Sequence, residues 1–200
     1  MKGNNDMSKL IEELVHKYTY FDYMTWPADN PIELIDGVPY SMTPAPSRIH
    51  QKISGELSRQ ISNYLQGKTC EVYAAPFDVR LTEDNDAVDE KINNVIQPDI
   101  SIICDQEKLD DKGCRGTPDL VMEIVSPSSI SVDYIKKLYL YEKYSVREYW
   151  IIHPIDKIIM VYKLIENGKY ARPEVYQIDE VIKIGIFEDL TISLADVFGG

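Results

Sequence analysis

Two short apolar runs, Ile100-Ser-Ile-Ile-Cys104 and Leu120–Val125, most constrain how this chain can fold. Each is nearly continuous in hydrophobicity and too short for a helix that buries one stripe. Such runs are expected of strands covered on both faces. Acids sit on both. Gln97-Pro98-Asp99 heads the first run, and Glu123 lies within the second, in Pro118-Asp119-Leu-Val-Met-Glu123-Ile-Val125. Strand side chains alternate between faces. Asp119, Val121, Glu123 and Val125 therefore share one face, and Leu120, Met122 and Ile124 the other. A lone carboxylate in such a strand costs several kcal/mol to bury unless it is paired or bound to metal.

The pattern around these runs is read in order. Residues 7–17 have helical spacing of Leu10, Ile11, Leu14 and Val15, and residues 1–8 are expected to be flexible. Pro31–Met42 reads as a hairpin, because Asp36-Gly37 tolerates the positive φ of a type I′ turn. Ser47 can cap a helix to about Leu65 with the stripe Ile53, Leu57, Ile61 and Tyr64. Strands are expected over 70–75 and 77–81, then an acidic loop over 82–96. Ser126-Pro-Ser-Ser129 stops the second run and offers caps for a helix over about 130–145. The runs 148–153, 158–164 and 170–177, separated by Pro154-Ile-Asp156 and Glu166-Asn-Gly168, read as an antiparallel meander. This order predicts an α+β (mixed α/β) fold with one central sheet. With 200 residues and no linker, a single domain over 1–200 is expected.

Projected as an α-helix, residues 131–145 place Lys137 in the arc of Tyr134, Leu138, Leu140, Tyr141 and Tyr144, with Glu142 and Ile135 also inside it. Lys136 falls on the polar side beside Lys143. A lysine in the buried arc needs a carboxylate or a substrate phosphate. Asp133 supplies a structural alternative, an i,i+4 salt bridge. Two acids on adjacent strands would repel, and a Mg²⁺ ion between them removes that cost. Two carboxylates and a lysine on a rigid scaffold can thus hold a metal and activate water against a phosphodiester.

Charge limits this reading. The chain carries 21 basic and 33 acidic residues, net −12, which argues against an extended electrostatic grip on DNA. Residues 82–111 hold ten of the acids against two lysines and read mainly as solvated loop. A homodimer can still present a local basic cleft. No apolar stretch is long enough for a membrane span, and no signal peptide is seen. Cys70, Cys104 and Cys114 are odd in number without a C-x-x-C pair. A disulfide framework or zinc site is therefore not expected, and a cytoplasmic location is.

The chain resembles the Uma2 family of restriction-type endonucleases, within the PD-(D/E)XK nuclease superfamily, over about residues 18–198. The likeness rests on Ile32-Glu33-Leu-Ile-Asp36-Gly37, the helix opening with His50, Gln97-Pro98-Asp99-Ile100, Gly116–Ser128, Asp133-x3-Lys137-x3-Tyr141 and Val146–Ile151. It implies a restriction-endonuclease-like central mixed sheet flanked by helices, with antiparallel hairpins. The superfamily pattern puts a lysine two residues after the strand acid, and that slot here is Val125. Uma2-like sequences supply the lysine from the next helix, which matches Lys137. The resemblance implies a Mg²⁺-dependent (or Mn²⁺-dependent) DNA endonuclease in which Asp99 and Glu123 hold the metal and Lys137 assists the attacking water. Glu33 would complete the site, with His50 and Gln97 in support. Tyr141 reads as core. Two alternatives stay open: a nuclease fold that no longer cuts and serves as a binding or assembly module, and a hydrolase of another phosphoester.

Overall fold

The computed structural model describes residues 16–27, 32–42, 45–84, 87–126 and 132–199. In chain order these form α1 (Tyr20–Tyr23), β1 (Ile32–Ile35), β2 (Val38–Ser41), α2 (Arg48–Leu65), β3 (Glu71–Ala74), β4 (Val79–Arg80), β5 (Val95–Ile96), β6 (Ile100–Ile103), β7 (Leu109–Asp110), β8 (Gly113–Arg115) and β9 (Leu120–Ile124). A π-helical turn (Val132–Lys137) leads into α3 (Leu138–Lys143). Then come β10 (Glu148–His153), β11 (Ile158–Lys163), β12 (Glu174–Gln177), β13 (Val181–Lys183), β14 (Thr191–Ser193) and α4 (Leu194–Phe198). The helix expected over 7–17 lies, up to residue 15, outside the described residues, and His16 and Lys17 are not helical.

The two apolar runs become β6 and β9, side by side at the centre of a mixed sheet ordered β12-β11-β10-β9-β6-β3. The expected meander is present as β10-β11-β12. The β9–β10 pair is parallel, and a parallel pair requires a crossover. The π turn and α3 lie within that crossover, which brings Lys137 back over the sheet.

Both faces of β9 are covered, by different layers. Leu120, Met122 and Ile124 pack with Ile53, Leu57 and Ile61 of α2 and with Trp150 and Ile152 of β10. Val121 and Val125 pack with Leu140 and Tyr141 of α3 and with Tyr149 and Ile151 of β10. The alternation read from the sequence holds, and it assigns Glu123 to the α3 side.

The hairpin turns at Asp36 (φ 49°) and Gly37 (φ 78°) as its dipeptide requires. It does not extend the central sheet. A second sheet, β2-β1-β5-β4-β8-β7, takes it in, and residues of that sheet such as Ile35, Val79 and Ile96 join the α3-side core. The expected acidic loop over 82–96 is therefore interrupted by β5. Tertiary pairing of Val95 with Leu34 and Arg80 overrides the local polarity.

One expectation is overturned. Cys70 and Cys104 form a disulfide. They sit one step beyond the Glu71–Ile103 pair of the antiparallel β3–β6 ladder. A 34-residue separation gives no sign of that register in the sequence. The argument for a reducing compartment from unpaired cysteines loses its basis. Cys114 remains free and buried, and burial pushes its thiol up to about 12. Among the described residues no helix is long and apolar enough to cross a membrane.

Ser47 caps α2 as expected, its hydroxyl accepting from the His50 N–H at 3.3 Å. Ser47→Ala should cost about 1 kcal/mol in urea unfolding. It should also loosen the first turn that carries His50. A loss of a few tenths or less would remove the cap from the account.

Candidate active site

Glu33, Glu123, Asp133 and Lys137 are all at most 5% exposed. They come from three different elements. Glu33 is on β1, Glu123 on β9, and Asp133 and Lys137 are on the π turn. The Lys137 ammonium lies 2.8 Å from Glu33 Oε1 and 2.9 Å from Glu123 Oε1, while Asp133 Oδ1 is 3.8 Å away. The cross-element partners are thus nearer than the i,i+4 partner. The Tyr141 hydroxyl donates to Glu123 Oε1 at 2.7 Å, and the Gln97 N–H donates to Glu33 Oε1 at 3.0 Å.

Asp99 sits next to this group. The β6–β9 register pairs Ile100 with Met122, and one step further sets Asp99 opposite Glu123. Asp99 Oδ2 accepts from the Ile124 N–H at 2.7 Å and lies 3.1 Å from His50 Nε2. Asp99 and His50 form the accessible edge, with side chains 20% and 14% exposed against 6% for Lys137 and 5% for Glu123. His50 Nδ1 is buried and has no hydrogen-bond partner among the described residues.

The geometry therefore brings Glu33, Glu123 and Lys137 into direct contact and Asp99 beside them. Lys137 reaches one of the two strand acids, and His50 engages the other. Lys136 is exposed, as its polar-side position predicts. Ile135, which the projection put at the margin of the arc about 160° from Lys137, is 69% exposed. Two participants were undervalued in the sequence: Asp133 and Tyr141. Their spacing, four residues to either side of Lys137, places all three on one helix face. That was the available signal.

Electrostatics follow from burial and charge. Four carboxylates face one ammonium and one imidazole. Burial raises the Glu123 carboxyl well above its ordinary range. Lys137 opposes this, and Asp133, Asp99 and Glu33 add to it. Burial disfavours the Lys137 ammonium, but Glu123, Glu33 and Asp133 outweigh it and hold it charged. Burial likewise pulls His50 down, and the Asp99 hydrogen bond and charge carry it above its usual value. The Tyr141 phenol is raised by burial and by Glu123, so it stays a donor.

The arrangement offers a fixed ammonium, a strand-borne acid pair and an excess of buried negative charge. Three comparisons with known proteins bear on the fold and the family. A crystal structure from Anabaena variabilis ATCC 29413, described as a putative nuclease belonging to DUF820, superposes with a TM-score of 0.70 over 90% of this chain and 97% of that one, at 19% identity. That likeness shows that the two chains share a fold. The Synechocystis protein "Uncharacterized protein slr1290" is 27% identical over 139 residues, 69% of this chain and 68% of its own. The profile of the Uma2 family, described as "Putative restriction endonuclease", matches residues 20–195. The chain belongs to the Uma2 family.

Proposed function

We propose that the protein is a metal-dependent phosphodiester hydrolase, a DNA endonuclease, with Asp99 and Glu123 as metal ligands and Lys137 and Glu33 completing the catalytic set. The observation that carries this reading is the Lys137 ammonium held between Glu33 and Glu123 at 2.8 and 2.9 Å. The donor set is all oxygen on the acid side and carries surplus negative charge, which fits a hard divalent cation. Among the described residues no three His, Cys, Asp or Glu side chains are arranged to close around an ion. The site accordingly offers Asp99 and Glu123, with backbone and solvent oxygens completing the shell that Mg²⁺ or Mn²⁺ takes. When bound there, the ion supplies positive charge that polarises a phosphoryl oxygen.

The chain's own groups do the rest. Glu33 and Glu123 account for two of the three N–H bonds of Lys137, and Asp133 at 3.8 Å is beyond hydrogen-bond reach. Among the described residues these carboxylates take two of the lysine's N–H bonds, and we assign the third to orienting an attacking water or stabilising charge on the transition state. Gln97 fixes Glu33 through its backbone N–H, and His50 orients Asp99 at the accessible edge.

A second reading, an inert nuclease fold used for binding or assembly, is favoured by one feature. The lysine and its carboxylates are nearly sealed from solvent and satisfy one another. Plasmid cleavage by purified protein with Mg²⁺ or Mn²⁺, against a chelator, separates the two. Wild type should cut only with metal, and Glu123→Gln and Lys137→Ala should each lose about 100-fold or more. Equal cleavage by all three proteins would sink the proposed site. Absence of cleavage on any nucleic acid, together with absence of metal binding by calorimetry, would favour the inert module.

A further inference from the structure

A pocket of about 450 Å³ opens beside the candidate site, lined by Tyr73, Phe77, Asp78, Gln97, Asp110 and Lys112 among others. Gln97 belongs to both places. Its backbone N–H holds Glu33 at 3.0 Å, while its side-chain amide donates to Asp78 Oδ1 at 2.8 Å. The pocket is thus one residue away from the carboxylate–lysine group, and Asp99 follows two positions later.

Its walls differ in chemistry. Tyr73 and Phe77 stack nearly parallel, with ring centroids 4.1 Å apart and planes at 9°, and both rings are half-buried. Both residues line the pocket, so one of its walls carries aromatic surface. The polar wall is rich in acceptors. Among the described residues, Asp78 takes side-chain hydrogen bonds from Gln97 and from the Tyr23 hydroxyl, both on Oδ1. Asp110 is bound to the buried Arg80 but is 43% exposed. The nearest cation of the wall, Lys112, is engaged by Asp89 at 3.3 Å. Asp78 is held by the backbone behind it, because its carbonyl accepts from the Cys114 N–H at 2.9 Å. That approach needs a glycine at 113, where a Cβ would come within 2.2 Å of the Asp78 carbonyl oxygen.

A phosphate is repelled by such a wall. A planar ring that stacks on one side and donates hydrogen bonds on the other is matched by it. Pockets of this size commonly enclose one such group. We propose that this pocket receives a single unstacked nucleobase carrying an exocyclic amine, next to the phosphodiester to be cut. Cytosine, adenine or guanine would stack on the Tyr73–Phe77 pair and donate its amine to Asp78, whereas thymine has only its ring N3–H to offer. The inference rests on the nuclease reading for its substrate class. It assigns a base preference to a chain whose net charge of −12 supplies no general grip on DNA.

The test uses the full chain with Ca²⁺ in place of Mg²⁺ to avoid cleavage. Fluorescence anisotropy is read with short single-stranded oligodeoxycytidylate and oligodeoxythymidylate, and quenching with an oligonucleotide containing 2-aminopurine. Wild type should bind the cytosine strand roughly tenfold more tightly and quench 2-aminopurine on stacking. Phe77→Ala should weaken binding of both strands by roughly tenfold, the usual cost of one lost base–aromatic stack, and abolish the quenching. Asp78→Asn should erase the preference while keeping thymine affinity. Phe77→Leu, which keeps volume without the ring, guards against a folding defect and should still lose quenching. Equal affinity of wild type for the two strands, or an unchanged preference in Asp78→Asn, would overturn the proposal, as would no oligonucleotide binding at all. Metal-dependent plasmid cleavage without base preference would leave the nuclease reading standing and remove the pocket. Base preference without cleavage under any metal would keep the pocket and remove the nuclease.

Discussion

Replacing Lys137 with methionine is expected to lower the unfolding free energy by about 3–5 kcal/mol, the usual cost of removing one partner from a buried ion group. For a chain of this length that corresponds to a drop in Tm of roughly 6–20 °C. The reason is local. Glu33, Glu123 and Asp133 are all nearly solvent-free, and Lys137 is the cation among them. The loss should depend on pH in a definite sense. Burial already raises the Glu123 carboxyl above its ordinary value, and Lys137 is what restrains it. A carboxyl raised in the folded state contributes its full stability below its unfolded pKa and loses it as pH rises through the folded value. Without the ammonium that folded value moves higher still. The gap between wild type and Lys137→Met should therefore be small in acid and widen toward neutral and alkaline pH. Urea unfolding at several pH values reads this directly, and the double variant Glu123→Gln with Lys137→Met should recover part of the loss. A gap under about 1 kcal/mol at neutral pH, or one flat in pH, would contradict a buried, charge-balanced lysine.

What could be read beforehand divides along a physical line. β6, β9 and the Asp36-Gly37 hairpin carry their instructions locally, in apolar runs and in turn residues that few sequences share. α2 does too, since Ser47 and the stripe Ile53, Leu57 and Ile61 define its start and buried face, although Leu65 and not Tyr64 completes that face. The parity of Glu123 on its strand was legible for the same reason, because alternation is a property of the chain itself. Lys137 was legible because its apolar neighbours left a charge no solvent-facing place. The rest depended on pairings between distant segments. Nothing near Val95 announces that it will join Leu34 in a second sheet. The Cys70–Cys104 disulfide follows from β3–β6 register alone. Nothing local to the hairpin shows that Glu33 is buried against Lys137, a contact that the second sheet provides. The turn before α3 is a different case: Asp133 and Lys137 are buried on one face, as a spacing of four residues allows, and Ile135 is exposed on the other.

Saturating Mg²⁺ is expected to raise the stability of the wild-type chain by about 2.7 kcal/mol when the ion is at a hundred times its dissociation constant. That is a Tm increase of roughly 5–11 °C for this length, reversed by chelator. The expectation follows from counting charge at one place. Asp99 stands opposite Glu123, and Glu33 and Asp133 lie within the same buried group, against Lys137 and His50. Burial and the neighbouring carboxylates raise the Glu123 carboxyl, with Lys137 opposing them. A divalent cation between the two strands would offset the surplus and would bind the folded chain alone, because the unfolded chain does not hold β6 and β9 in register. Asp99→Asn keeps an oxygen for the Ile124 N–H and should leave the fold nearly intact, yet it should abolish the Mg²⁺ increment. Asp78→Asn removes an acid of the neighbouring pocket and should leave the increment unchanged. Calorimetric melts at matched ionic strength, with a monovalent salt in the parallel arm, separate binding from simple screening. An equal shift in wild type and Asp99→Asn would assign the effect to surface charge, and the carboxylate pair would then be a structural ion group and not a metal site.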